Sequence, residues 1–246
     1  MSSVAKIEDT RTAQPAIKAV PDEPERVGGV RYARPKVAVD IIVFAVSNHR
    51  LSCYLIQLKR GPLSSRWAFP GGLVRVGESL DAAARRELAS PTGLSDAYIE
   101  QLCTFGDPSR DPRSHVVSVA YMALISAPGL VKAPDKYADG KWFEVSNLPP
   151  LAYDHALMAN YALKRLKAKL AYTNIAYSLL PETFTFAEFE DLYATILGRQ
   201  PDRRNFRRSI MAMGLLKELP MKRTGRHRPA TLFSFATRSP QIIEML

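Results

Sequence analysis

The sequence predicts a mixed α/β chain in two folded parts. An α/β domain is expected over residues 36–170, and a helical domain closed by a β-hairpin over residues 171–246. Three observations predict it. Apolar runs of strand length recur between residues 37 and 125, and helical spacing takes over from residue 154. Basic residues then gather near the C-terminus, with five arginines against one aspartate over 199–208.

Residues 1–35 are polar and mixed in charge, and are expected to form a disordered tail. Two apolar runs follow, 37–45 and 51–58. Ser47-Asn48-His49-Arg50 between them reads as the turn of a β-hairpin. Trp67-Ala68-Phe69-Pro70-Gly71-Gly72 is a glycine-rich approach where backbone can come close to a ligand.

The segment that carries most chemistry starts at Gly72. It runs Gly72, five residues, Glu78, seven residues, Arg86-Glu87-Leu88-Ala89-Ser90-Pro91-Thr92-Gly93-Leu94. On a helix, positions i, i+3 and i+4 share a face. Carboxylates at 87, 90 and 91 would therefore converge on one cation, but 90 and 91 are serine and proline. Magnesium requires hard oxygen ligands in near-octahedral geometry, which Glu78 and Glu87 alone supply poorly. Pro91 lacks an N–H and disfavours helical geometry at the residue before it, so the helix is expected to end early.

Tyr98–Phe105 and Val116–Ile125 have strand composition. Residues 154–170 read as a helix, with Leu157, Tyr161, Leu163 and Leu166 near helical spacing. Beyond it, 173–180 is a short helix candidate stopped by Pro181. Thr185-Phe186-Ala187-Glu188 is a capping box that opens a second helix, and Gly198 suits its end. Asp202 is placed to cap a third helix over 203–216. Strands at 217–221 and 231–236 flank the basic loop 222–229. Three helices followed by a basic hairpin is the layout of a winged helix-turn-helix.

In the third helix Phe206, Ile210, Met213 and Lys217 lie on one side, and the first three can bury. Arg203, Arg204, Asn205, Arg207 and Arg208 occupy the rest. Arginine can bridge guanine O6 and N7, asparagine can pair with adenine, and both can hold phosphate. An apolar face docked on the domain and a basic face in the major groove is what a recognition helix needs. Lys222, Arg223, Arg226, His227 and Arg228 would form the wing, and Thr173 and Asn174 are further candidates for DNA contact.

Composition agrees with a polyanionic partner. The 246 residues include 34 Lys+Arg and 24 Asp+Glu, a formal net charge of +10. No apolar run is long enough to span a bilayer, and no signal-peptide core opens the chain, so a cytoplasmic protein is expected. Cys53 and Cys103 lack motif spacing and are expected as reduced, buried residues.

The segment 72–94 resembles the Nudix box, G-x5-E-x7-R-E-U-x-E-E-x-G-U with U a bulky aliphatic residue. Gly72, Glu78, Arg86, Glu87, Gly93 and Leu94 match it. The element order of residues 36–170 is that of the Nudix α/β/α sandwich. With the C-terminal winged helix, the chain is similar to the Nudix-related transcriptional regulators of the NrtR family. Further segments carry that likeness, among them 106–113, Ala152-Tyr153-Asp154-His155, 172–181 and 202–208.

The resemblance implies a homodimeric repressor of NAD biosynthesis and salvage genes on a palindromic operator. ADP-ribose or a related NAD metabolite would be the effector that weakens DNA binding, with no cofactor required. Some members keep an intact box and hydrolyse ADP-ribose; Ser90 and Pro91 argue against hydrolysis here. The alternatives are a Nudix hydrolase with an accessory domain and a sugar-responsive regulator of the same architecture. An ADP-ribose-shaped ligand needs cations for its diphosphate and flat surfaces for adenine. Arg60, Arg86, Arg110 and Arg113 are candidates for the first, with Arg86 alternatively orienting Glu87. Trp67, Phe69 and Phe143 are candidates for the second, with Gly71 and Gly72 giving close backbone approach. Asp154 and His155 are read as possible caps of the long helix, which joins the two domains and could carry a ligand-induced shift to paired recognition helices.

Overall fold

The structure, a computed structural model, describes residues 25–32, 34–94, 97–126, 140–224 and 229–243. In chain order the strands are β1 (Glu25–Val27), β2 (Val30–Tyr32), β3 (Lys36–Ser47), β4 (Arg50–Gln57), β5 (Trp67–Ala68) and β6 (Gly71–Leu73). They continue as β7 (Tyr98–Phe105), β8 (Val116–Ile125), β9 (Lys141–Glu144), β10 (Phe184–Thr185), β11 (Leu216–Arg223) and β12 (Ala230–Phe235). The helices are α1 (Leu80–Thr92), α2 (His155–Tyr172), α3 (Phe186–Leu197) and α4 (Arg203–Ala212).

A mixed seven-stranded sheet runs β5-β4-β3-β8-β7, with β6 paired to β3 and β9 to β4. Its centre is the parallel β3–β8 ladder, which is why β3 is buried on both faces rather than alternating with solvent. Ile41, Val43 and Ala45 pack with Ala83, Ala84 and Leu88 of α1. Ile42 and Phe44 point the other way and pack with Met158, Ala162 and Leu166 of α2. The expected α/β/α sandwich is the result. The β3–β4 connection is a two-residue turn in which Asn48 and His49 both take positive φ, 50° and 58°, the turn whose twist matches the flanking strands.

The core on the α2 face continues without a break into the C-terminal part. Leu170, Ile175 and Leu179 lead to Phe184, Phe189, Ile210, Phe233 and Phe235. There α3 and α4 pack on the three-stranded sheet β10-β12-β11. The capping box forms as expected, with the Thr185 hydroxyl accepting from Glu188 N–H and Gly198 closing α3 at φ 73°. The Asp202 carboxylate accepts from Asn205 N–H at 2.8 Å and caps α4. A cross-contact, His49 Nδ1 to Asp191 Oδ2 at 3.5 Å, ties the β3–β4 turn to α3.

Four expectations need correction. Residues 25–32, placed in a disordered tail, form the β1–β2 hairpin, because Gly28 and Gly29 adopt positive φ at no steric cost; residues 1–24 lie outside the described residues. Pro91 does not end α1 early. It stands in the last turn, where it forfeits only its own N–H. The Thr92 hydroxyl donates to the Leu88 carbonyl at 2.6 Å, and Gly93 N–H closes on Ala89 at φ 72°. The helix expected at 173–180 is a 3₁₀ turn, Ile175–Ser178. The third helix stops at Ala212, because Gly214 takes φ 64° and releases Leu216 and Lys217 into β11. Cys53 is buried, its thiol pushed up to about 12 by burial, while Cys103 is only half-buried.

Candidate functional site

Two glycines fix how the sheet meets α1. A Cβ on Gly71 would lie 2.2 Å from Asp40 Oδ1, and one on Gly72 would lie 2.4 Å from Glu87 Oε1. At Gly71 the Val39 carbonyl, at 2.5 Å, leaves room for glycine alone, while a side chain at 72 would displace the Glu87 carboxylate. Behind them Arg86 organises the box. Its Nε and Nη2 donate to the two Glu78 oxygens, each at 2.7 Å, while Nη1 pairs with Glu87 and Nη2 also reaches the Leu73 carbonyl at 3.1 Å. The Arg86 hydrogen bonds hold Glu78 at about 2. Both surviving box carboxylates thus neutralise one guanidinium, and Ser90 and Pro91 offer no further carboxylate. This donor set does not fit the magnesium site of a Nudix hydrolase.

In front of the glycines lies a cavity of 440 Å³. Its floor is Asp40, a lone carboxylate in the otherwise apolar centre of β3. Burial pushes Asp40 up, but His155, Ser118 and Arg110 outweigh it and hold the carboxyl below its ordinary range. Ser118 donates to Asp40 Oδ2 at 2.5 Å, and Arg110 Nη2 approaches the same oxygen at 3.5 Å. Arg110 is buried and donates to both oxygens of Asp154, at 3.0 and 2.7 Å. Arg113 makes the same forked contact with Asp111, at 3.0 and 2.7 Å, and donates to the Tyr153 hydroxyl at 3.0 Å.

Aromatic surface completes the pocket. Phe69 stacks on His155 at 5.3 Å, and Tyr153, whose φ is 53°, lies 5.3 Å from the same ring in a tilted contact. A tyrosine in that backbone region is uncommon and is held by its surroundings. The Phe69 N–H donates to His155 Nδ1 at 3.0 Å, which leaves the ring proton on Nε2.

The second site is α4. Arg203, Arg204, Asn205, Arg207 and Arg208 are all exposed, while Ile210 is buried and Phe206 packs on Phe189 and Tyr193 at 5.7 and 5.0 Å. The Arg207 guanidinium lies 4.5 Å over the Phe186 ring, and Arg208 donates to the Asn205 side chain at 3.0 Å. Lys222 and Arg223 extend the basic surface onto β11, with Arg223 paired to Glu188. Arg226, His227 and Arg228 lie outside the described residues.

Comparison with known proteins matches both halves. The NUDIX domain model covers residues 34–164, and the model of the NrtR DNA-binding winged helix domain covers residues 176–235. The chain is 34% identical over 209 residues to the ADPR responsive transcriptional repressor NtrR of Acinetobacter baylyi, spanning 83% of this chain and 84% of that one. The chain belongs to the NrtR family.

The crystal structure of Shewanella oneidensis NrtR complexed with a 27mer DNA superposes with a TM-score of 0.74 at 34% identity, covering 81% of this chain and 93% of that one. An ADP-ribose pyrophosphatase of Methanocaldococcus jannaschii is 38% identical over 124 residues, 50% of this chain and 70% of that enzyme. Within this NrtR-family fold the expected site residues divide. Phe69, Gly71, Gly72, Arg110 and Arg113 line the pocket together. Arg86 and Glu87 do not line it; they build the frame, so Arg86 takes the orienting role that had been its alternative. Trp67 and Phe143 also stand outside, packed edge to face at 4.7 Å against the α2-face core. Arg60 is exposed and outside the pocket.

Thr173 and Asn174 are corrected outright. Both are buried: Thr173 donates to the Lys169 carbonyl at 2.7 Å, and Asn174 binds the Ser239 carbonyl and Gln241 N–H at 2.9 and 2.8 Å. They clasp the C-terminal segment and cannot face DNA. Asp154 occupies the N-cap position of α2 but makes no side-chain cap, its carboxylate being spent on Arg110. Sequence reasoning missed Asp40, Ser118 and Tyr153. A charged residue inside the apolar run of β3 was the available signal for the first; nothing local marked the other two.

Proposed function

We propose that this chain is an ADP-ribose-responsive transcriptional repressor of NAD biosynthesis and salvage genes. It binds a palindromic operator as a homodimer, in the cytoplasm, without hydrolysing its effector and with no cofactor required. One observation carries the reading: a basic, capped and exposed α4 shares a continuous core with a pocket that has anion-binding and aromatic walls, and the two box carboxylates behind it are paired to Arg86. A volume of 440 Å³ lies within the roughly 300–1,000 Å³ of small-molecule sites. The DNA-bound S. oneidensis relative and the A. baylyi repressor support the DNA and effector roles respectively.

Release follows from linkage. The diphosphate competes with Asp154 for Arg110, and Asp154 and His155 begin α2, whose far end enters the winged-helix core. A ligand that prefers one setting of α2 lowers affinity for DNA that prefers the other. A gel shift on the operator upstream of the regulated gene, titrated with ADP-ribose, NAD and arabinose, tests this. Release by ADP-ribose alone supports it; identical operator affinity with and without saturating ADP-ribose overturns it. The hydrolase reading draws on the M. jannaschii relative, and magnesium-dependent release of AMP from ADP-ribose would restore it.

A further inference from the structure

The floor of the pocket holds a donor and an acceptor that face each other without meeting. The His155 ring is 1% exposed, and its Nε2 is buried with no hydrogen-bond partner among the described residues. The nearest acceptor is Asp40 Oδ1 at 3.6 Å, beyond hydrogen-bond range. The described hydrogen bonds to Asp40 fall on its other oxygen, Oδ2, from Ser118 and Arg110. The His155 tautomer is set from behind, because Nδ1 accepts the Phe69 N–H. Above Oδ1 the missing side chain of Gly71 leaves the approach clear, since a Cβ there would sit 2.2 Å away.

A buried imidazole N–H left unpaired is costly, and a group that satisfies it while also bonding the Asp40 oxygen it faces must accept and donate at once. A hydroxyl does this: its oxygen accepts from His155 Nε2–H while its proton goes to Asp40 Oδ1. A phosphate oxygen cannot, because it has no proton for the carboxylate and brings like charge against it. We infer that Asp40 and His155 form a hydroxyl-reading pair that selects a sugar hydroxyl of the ligand and refuses its deoxy and phosphorylated counterparts. Arg110, on the other side of Asp40, keeps the anionic part of the same ligand within reach. This inference rests on the proposed nucleotide-sugar ligand and names the feature of it that the pocket reads.

The test is isothermal titration of the full chain with ADP-ribose, with analogues lacking single ribose hydroxyls, and with 2′-phosphorylated ADP-ribose. One deoxy analogue is expected to bind at least about tenfold more weakly, the loss of a hydrogen bond to a charged group. Asp40→Asn should reduce that discrimination to under about threefold while keeping the Ser118 contact. A crystal structure of the wild-type complex supplies the second measurement if Asp40→Asn does not fold; it should place a ligand hydroxyl about 3 Å from both Oδ1 and Nε2. Equal binding of every deoxy analogue, unchanged discrimination in Asp40→Asn, or a water between the two atoms in the complex overturns the inference. No binding of ADP-ribose at all would instead overturn the proposed effector.

Discussion

Asp154 stands where a helix cap stands and caps nothing: both of its oxygens are held by Arg110, at 3.0 and 2.7 Å, and the first turn of α2 begins without a side-chain acceptor. The same carboxylate is wanted by two partners, a buried guanidinium in the pocket wall and the open amides of a helix. Release of Arg110 would free the Asp154 carboxylate for the open amides of the first turn. Arg110 and Asp154 therefore connect the pocket wall to the start of the element that runs into the C-terminal part.

Replacing Asp154 with Asn should expose this arrangement. Arg110 is buried, and removing Asp154 leaves its charge offset only by Asp40 at 3.5 Å, a loss of up to about 3 kcal/mol. Urea denaturation of Asp154→Asn should show that loss without ligand. Part of it should return at saturating ADP-ribose, whose diphosphate takes the freed guanidinium. Equal stability of variant and wild type would contradict the coupling.

The two arginines at the centre of α4 should behave differently. Arg204 is exposed, so Arg204→Ala is expected to weaken operator binding about tenfold with an unchanged Tm. Arg207 lies over Phe186 at 4.5 Å, a cation–π contact of about 0.5–1 kcal/mol, so Arg207→Ala should lower Tm as well as affinity. Operator titrations across salt concentration separate the two, because each lost phosphate contact reduces the salt slope by about one.

Acid and neutral pH should pull in opposite directions at two carboxylates. Burial raises Glu190, with Arg203 and Arg207 offsetting part of the rise, so its charged form is disfavoured in the folded state. Its penalty is full above the folded pKa and vanishes as pH falls below the unfolded value, near 4.3 by roughly a unit either way. Glu190→Gln should therefore have a higher Tm than wild type at pH 7 and no advantage at about pH 4. Asp40 is lowered despite burial, so it contributes stability above its unfolded value and loses it as pH falls further. Thermal melts of wild type, Glu190→Gln and Asp40→Asn across pH should show these two trends with opposite sign.

Incubation with ADP-ribose and magnesium should release no AMP above the protein-free rate. Restoring carboxylates at both missing positions is not expected to rescue activity on its own, because position 91 is buried in this structure and Glu78 and Glu87 are already committed to Arg86. Chromatographic detection of AMP from the wild type and from a Ser90→Glu, Pro91→Glu variant checks both statements.

What could be read in the sequence was local. The hairpin turn at Asn48-His49, the Thr185 capping box and the basic face of α4 depend on residues within about a dozen positions of each other, the Gly72-to-Leu94 spacing on one continuous segment, and all are present in the fold. What failed depended on distant chain. Thr173 and Asn174 look like exposed polar residues after a helix until Thr237, Ser239 and Gln241 return across them. Trp67 and Phe143 meet only because β9 pairs with β4. Arg60 follows β4 and is exposed outside the pocket, a placement that no nearby pattern marks. The end of α4 is marked by Gly214, whose positive φ outweighs the apolar spacing that continues beyond it.

Pro91 shows that the end of α1 does not depend on the carboxylates of the box. Because the proline occupies the final turn, where Gly93 and Thr92 already complete the ending, losing the carboxylates of the box does not undo the helix. Metal binding and architecture are separable there, substitution by substitution. The helix end and the metal-facing positions depend on different atoms of one turn, and the first is complete without the second.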